Sequence, residues 1–162
     1  MDTVKYDRQI RLFGVETQEK LCSMKVQVLG SVNLISAEIV KNIVLLGVGK
    51  IIISRELLDE TKKLVPDSLQ CINPALEIMF LDFPTECDFT FNIDIESRNK
   101  SSFYFVCSKC LSINAETHIH DCVPLETDLL EVKYCLVGAL AVQEFIKFIQ
   151  GKDSVKSYKV NF

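Results

Sequence analysis

The fold is decided by a stretch near the N-terminus, which reads Val26-Gln27-Val28-Leu29-Gly30-Ser31-Val32-Asn33-Leu34-Ile35-Ser36. Its first four residues are mostly apolar and predict a buried strand. The residues after Ser36 have the apolar spacing of a helix that ends near Gly47, with Ser36 as its N-cap. Three isoleucines follow at 51–53 and predict a parallel strand. The stretch therefore opens a strand–helix–strand unit.

The loop between this strand and helix lacks the glycines that a phosphate-binding loop requires. Backbone amides approach a phosphate closely where no Cβ intervenes, which is why such loops read G-x-G-x-x-G. Here Ser31, Asn33 and Ser36 stand in the place of the glycines. We therefore expect a degenerate loop that binds no nucleotide, and the alternative is an altered site for a different ligand.

The rest of the chain predicts further helices and strands in an α/β arrangement. Helices are predicted at 10–12, 15–23, 57–70 and 137–150, and strands at 76–81, 103–107, 122–123 and 158–162. Residues 83–102 alternate polar and apolar side chains and predict an irregular excursion or an edge hairpin. In the last helix, Phe145 and Phe148 are expected in the core. These elements predict a mostly parallel sheet flanked by helices.

Length, composition and charge favour one globular domain over residues 1–162. The chain is 48% hydrophobic, carries a formal net charge of -4, and has none of the basic bias of a nucleic-acid-binding scaffold. No apolar run reaches the roughly 18 residues that a membrane span needs. The N-terminus does not resemble a signal peptide, so we expect a protein of the nucleus or cytoplasm with its seven cysteines reduced.

The cysteines and histidines of the second half raise the question of a metal site. Cys107 and Cys110 form a C-x-x-C pair, and His118, His120 and Cys122 follow. This spacing is not one of the strong zinc motifs, so the sequence favours no metal, with zinc as the alternative. A redox C-x-x-C is less favoured still, since it should open a helix. No cysteine has a base beside it in a recognisable motif, and none is assigned as a catalytic nucleophile.

Four segments of the chain carry a resemblance to a known family. They are YDRQIRLFG at 6–14, AEIVKN with LGVG at 37–42 and 46–49, FVCSKC at 105–110, and CLVGALAVQEFIK at 135–147. The chain resembles the ThiF/MoeB-like adenylating domain of the enzymes that activate ubiquitin-like modifiers. It is most similar to their smaller, non-catalytic subunits, first that of the SUMO-activating heterodimer and then its NEDD8 counterpart. The resemblance implies a Rossmann-like fold in a miniaturised form.

The resemblance implies a role for Arg8 in a partner subunit. It implies a heterodimer in which the catalytic subunit holds ATP and magnesium and adenylates the modifier, while this chain binds no cofactor alone. In such pairs the arginine at the position of Arg8 reaches into the neighbour's ATP site, where a guanidinium stabilises developing phosphate charge. Arg11 is a weaker candidate for the same role. From the residues alone, the alternative is that Arg8 only caps or pairs within its own helix.

The chain also departs from the catalytic members of the family at residues that bind ATP. Catalytic members end their second strand in an aspartate that binds the ribose, and Arg55, next to Ser54, stands at that place here. Residues 126–130 leave no room for the half-domain that relatives carry. We therefore predict a pseudo-active subunit. The alternatives are a standalone adenylating enzyme with an atypical loop, a small NAD-binding protein, and an adaptor in which Arg8 has no role.

Overall fold

A computed structural model describes residues 1–81, 86–95, 102–115, 122, 128–154 and 156–160. Within these residues, one sheet contains the strands β1 Lys25–Gly30, β2 Lys50–Ile53, β3 Glu77–Phe80, β4 Phe89–Ile93, β5 Ser102–Cys107, β6 Ser112–Asn114 and β7 Ser157–Lys159. Their order across the sheet is β3-β2-β1-β4-β5-β6-β7. The pairs from β3 to β5 are parallel, and β6 pairs antiparallel with both of its neighbours.

The helices of the described residues are α1 Asp7–Phe13, α2 Val15–Ser23, α3 Leu34–Leu45, α4 Arg55–Leu64, α5 Leu69–Ile72 and α6 Leu130–Ile149. Helix α3 connects β1 to β2, and it packs against α6. The two helices approach closely at Gly138, where a Cβ atom would lie 2.8 Å from both the Cβ of Glu38 and the carbonyl oxygen of Ile35. Glycine at this point therefore sets the separation of α3 and α6.

The direction of strand order changes between β1 and β4, which lie side by side at the centre of the sheet. In open α/β sheets, ligands bind outside the carboxyl ends of the strands where the order reverses. The loop after β1 lies at this point, because Gly30 pairs with Ile93 at the end of β4. The loop after β1 thus lies at the position where open α/β sheets bind ligands.

The core between the sheet and α6 is centred on aromatic side chains. The Phe89 ring lies 4.7 Å from the Phe145 ring, 5.1 Å from Phe91 and 5.4 Å from Tyr104, measured between centroids. All four side chains are buried. The prediction of Phe145 as core is therefore confirmed. Phe148 contacts Phe89 but remains 37% exposed at the rim, so its prediction as core is wrong in part.

The opposite face of the sheet is buried but polar. Side chains alternate along each strand, so Phe89, Phe91 and Ile93 face the helices while Thr90 and Asn92 face away from them. The buried polar residues of this face are Gln27, Thr90, Asn92, Ser112 and Asn114. Several of them bond one another or neighbouring thiols, for example Cys110 with Ser112 at 3.1 Å. This polar face explains why the sequence of residues 83–102 predicted an edge hairpin.

The region 83–102 does not form an edge hairpin in its described part, because residues 89–93 are the central strand β4. Its polar alternation resembles that of an edge strand only because the second face of this sheet is itself polar. The helix predicted at 57–70 is interrupted and forms α4 and α5, and α6 begins seven residues earlier than predicted. Strand β6 was not predicted.

Other predictions agree with the structure. The helix at 15–23 and the strands at 51–53, 76–81 and 103–107 correspond to α2, β2, β3 and β5. The final strand is β7, although its first residue is Ser157 and residues 161–162 lie outside the described part. The strand predicted at 122–123 is not borne out at Cys122, which is in no strand, and Val123 lies outside the described part. Among the described helices, none combines the length and apolarity needed to cross a bilayer.

Candidate functional site

The loop after β1 is held tightly against the end of β4. Gly30 has φ +100°, and a Cβ at this position would lie 1.9 Å from the carbonyl oxygen of Ile93. The next residue, Ser31, donates its backbone amide to that same oxygen at 2.9 Å. The one glycine that survives in the loop is therefore required by the packing of β1 on β4, not by a ligand.

The Asn33 side chain accepts hydrogen bonds from backbone amides at the start of α3. Without the cap, these amides would be available to bind an anion. The Asn33 Oδ1 accepts hydrogen bonds from the backbone amides of Ile35 at 3.0 Å and Ser36 at 3.2 Å. The Ser36 hydroxyl in turn accepts from the amide of Asn33 at 2.9 Å, which completes a capping box. The N-cap is therefore Asn33, and the prediction of Ser36 as the cap is wrong by three residues.

The capping box changes what the loop can do. A helix N-terminus binds phosphate through unpaired backbone amides in its first turn. Here the Asn33 carboxamide already bonds two of these amides, and Ser36 is buried beneath them. A phosphate at this position would have to displace the cap. The N-x-x-S spacing at 33–36 was the signal in the sequence that could have identified this arrangement.

Replacing Asn33 with alanine should destabilise the chain by about 1 kcal/mol, because both hydrogen bonds to the first turn of α3 are lost. Asn33→Asp is the matched control, since its carboxylate keeps an acceptor at the same place and should retain most of the stability. Urea denaturation followed by circular dichroism measures both variants. Equal losses in the two would show that the cap does not stabilise α3.

The end of β2 presents a cation in place of a ribose-binding carboxylate. Ser54 caps α4 by accepting the amide of Leu57 at 3.1 Å. The Arg55 guanidinium that follows stacks 4.1 Å from the centroid of the Phe80 ring. Glu56, the next residue, is exposed, and hydrogen bonds from its own backbone amide and from the Ser54 hydroxyl lower its pKa. Sequence reasoning did not single out Glu56.

The two arginines of α1 differ in their partners. Arg11 is 77% exposed in its side chain and pairs with Asp7, with its Nε 3.0 Å from Oδ2. Arg8 is exposed, and it forms neither a salt bridge nor a hydrogen bond with any described residue. Leu12, one helical turn after Arg8, is 73% exposed. Arg8 and Leu12 therefore share an outward side of α1 that this chain does not cover.

Helix α1 is fixed at the C-terminal end of α3, far from the loop after β1. Gln9 donates its Nε2 to the carbonyl of Leu45 at 3.0 Å, as Gln18 does to that of Leu46 at 2.7 Å. Tyr6 is buried against Gly47. Because α3 has 12 residues, its two ends lie about 18 Å apart. Arg8 therefore lies near the end of α3 that is away from its own degenerate loop.

Three cysteines come together at the turn between β5 and β6. The Sγ atoms of Cys107, Cys110 and Cys122 all lie within 4.8 Å of one another. Burial raises the pKa of Cys107. Desolvation, with hydrogen bonds to the other two thiols, raises the pKa of Cys122 to about 12. His118 and His120 lie outside the described residues, so the structure joins three of the five residues that the sequence singled out.

The comparisons with known proteins rest on structure alone, since no protein-family model and no curated protein matches the sequence. E. coli MccB, a ThiF/MoeB-family adenylating enzyme, has a similar structure in its complex with MccA, with a TM-score of 0.68 at 14% identity over 99% of this chain. The chain has a ThiF/MoeB-like fold. MccB with ATP gives a TM-score of 0.65 at 14% identity over 97% of this chain.

The ThiF/MoeB-like fold is present here in a shorter chain than that of MccB. This chain covers 64% of one MccB structure and 72% of another, the microcin C7 biosynthetic enzyme in complex with N-formylated MccA. The similarity confirms the predicted fold class. At 14% identity, the similarity shows the fold alone.

Proposed function

We propose that this chain is the non-catalytic subunit of a heterodimeric activating enzyme for a ubiquitin-like modifier, with SUMO as the first candidate. One observation carries the proposal. The amides of the chain's own nucleotide position are bonded by Asn33, whereas Arg8 stands exposed and unpaired within the described residues. In this proposal ATP and magnesium are held by the catalytic partner, and this chain supplies one positive charge to that site.

The chemistry of adenylation gives Arg8 its role. The modifier's C-terminal carboxylate attacks the α-phosphate of ATP, the bond to the β-phosphate breaks, and pyrophosphate leaves. Negative charge grows on the phosphate oxygens during this step. A guanidinium that points into a site closed to water stabilises this charge with directed donors. Arg11 is less suited because Asp7 neutralises and orients it.

The surface around Arg8 supports a partner subunit as its occupant. Leu12, on the same helix as Arg8, is 73% exposed, Val15 at the start of α2 is 50% exposed, and Val4 before α1 is 87% exposed. Permanent subunit interfaces bury such surfaces, and these interfaces are more hydrophobic than transient ones. A catalytic subunit seated on α1 would cover Leu12 and enclose Arg8.

The isolated chain should bind no ATP, whereas its complex with the catalytic subunit should bind ATP at one site. Equilibrium dialysis with labelled ATP and magnesium measures both, using the full chain purified alone and co-purified with a SUMO-activating catalytic subunit. The reason is the capping of α3 by Asn33 and the absence of a glycine-rich loop. Stoichiometric ATP on the isolated chain would contradict the proposal.

A standalone adenylating enzyme is the second candidate, and one finding favours it. The fold matches that of MccB with ATP over 97% of this chain. Pyrophosphate exchange distinguishes the two functions. Exchange by the isolated chain with a peptide or modifier substrate supports the standalone enzyme, and exchange only in the heterodimer supports the subunit. Running the heterodimer with SUMO and with NEDD8 in parallel separates these two modifiers.

A further inference from the structure

The turn between β5 and β6 brings together residues that the proposed function does not use. Cys107 is the last residue of β5, Cys110 lies within the turn, and Cys122 comes from a later segment. We propose that Cys107, Cys110 and Cys122 bind a zinc ion through their thiolates. The sequence spacing by itself favours no metal. In the structure, the sulfur of Cys122 nevertheless lies close to the other two.

The distances suit a tetrahedral zinc site. A Zn–S bond of about 2.3 Å places two sulfur ligands about 3.8 Å apart. The three Sγ atoms all lie within 4.8 Å of one another. Each pair therefore needs to approach by at most about 1 Å to reach ligand separation, a shift that small side-chain rotations provide. The three thiolates fill three positions, and water or another donor completes the fourth.

The chemistry of the three side chains selects among metals. Thiolates are soft ligands, and this donor set suits zinc better than magnesium or calcium. Binding exchanges the three thiol protons for the metal, and those protons go to solvent.

A disulfide explains the cluster less well than an ion does. A disulfide joins two sulfurs at about 2.05 Å and leaves the third without a role. Three sulfurs converging on one point are instead what a metal centre requires. None of the three cysteines is in a disulfide within the described part of the chain.

The position of the site suggests a structural role. Ser108, between the two turn cysteines, bonds Asp94 through its amide and its hydroxyl, both at 2.7 Å. Asp94 directly follows β4, so the turn is already tied to the carboxyl end of the central strands. A zinc ion would add a tie between this turn and Cys122.

Zinc content of the full chain tests the proposal. Wild-type protein purified under reducing conditions should contain stoichiometric zinc by plasma mass spectrometry, and Cys110→Ser and Cys122→Ser should lose it. Cys135→Ser and Cys71→Ser are the matched controls, because these cysteines lie outside the cluster, and both should keep the metal. Zinc retained by a Cys107, Cys110 and Cys122 triple serine variant would overturn the site.

A second measurement does not depend on whether the variants fold. Cobalt added to reduced, metal-stripped wild-type chain should give thiolate-to-cobalt charge-transfer bands in the near ultraviolet, and zinc should abolish them. A reduced chain that holds no zinc and gives no such bands would overturn the proposal. So would a Cys107–Cys110 disulfide as the main form in cells alkylated at lysis. Neither result bears on Arg8 or on the proposed subunit function.

Discussion

Replacing Arg8 with alanine should slow adenylation by the assembled heterodimer about a hundredfold, the usual cost of removing one preorganised donor from a reacting oxyanion. The loss should fall on kcat more than on KM, since the guanidinium acts on charge that develops in the transition state. The measurement is pyrophosphate exchange with saturating modifier and ATP. Size-exclusion chromatography at assay concentration confirms that the heterodimer stays intact.

Arg11→Ala is the matched control for Arg8→Ala. It removes the same charge from the same helix, three residues further on, but from a side chain that already pairs with Asp7 at the surface. Exposed pairs of this kind contribute little to stability, so both assembly and rate should stay close to wild type. An unchanged rate in the intact Arg8→Ala heterodimer would leave this chain as an adaptor only. Equal losses in both variants would point to general electrostatics and not to a directed donor.

Replacing Phe89 with alanine should destabilise the chain by about 3–5 kcal/mol, as truncation of a buried phenylalanine usually does. Phe89 is 1% exposed, and its ring contacts those of Phe91, Tyr104, Phe145 and Phe148. No neighbour can collapse into the space without losing contacts of its own. Urea or thermal denaturation of the variant measures the loss.

Phe148→Ala serves as the control for Phe89→Ala, because it removes a ring from the rim of the same aromatic cluster. Phe148 is 37% exposed, so its truncation leaves less of a cavity and should cost about 1 kcal/mol. If Phe89→Ala does not fold, Phe89→Leu still permits the comparison, with an intermediate loss expected. Equal destabilisation by Phe89→Ala and Phe148→Ala would show that α6 is not packed on β4 in the way described.

The first strand–helix–strand unit could be predicted from the sequence because its signals are local. Apolar residues in β1, three isoleucines in β2 and the helical spacing of α3 each act within a few residues. The centre of the sheet could not be predicted in the same way. Thr90 and Asn92 give β4 the alternating polar pattern of a strand with one exposed face. In the structure both side chains are buried on the polar face of the sheet, and β4 lies at its centre.

The candidate sites also show features that the sequence predicts and features that only the structure gives. The lost glycines were visible at Ser31, Asn33 and Ser36, but the hydrogen bonds from Ile35 and Ser36 to Asn33 show that the first turn of α3 is also capped by the chain itself. From the sequence, Arg8 was a better candidate than Arg11 for the partner's ATP site only because of the family resemblance. The structure adds a physical reason, since Asp7 pairs with Arg11 and leaves Arg8 without a partner among the described residues.

By itself, the sequence determined the fold class and the loss of the glycine-rich loop, whereas Arg8 became a candidate only through a family resemblance. The first two depend on the identity and spacing of residues near one another along the chain. Only the tertiary structure decided that α1 docks at the far end of α3 and that Cys122 meets Cys107 and Cys110. Contacts between segments far apart in sequence depend on how whole elements pack, and no local pattern encodes that packing.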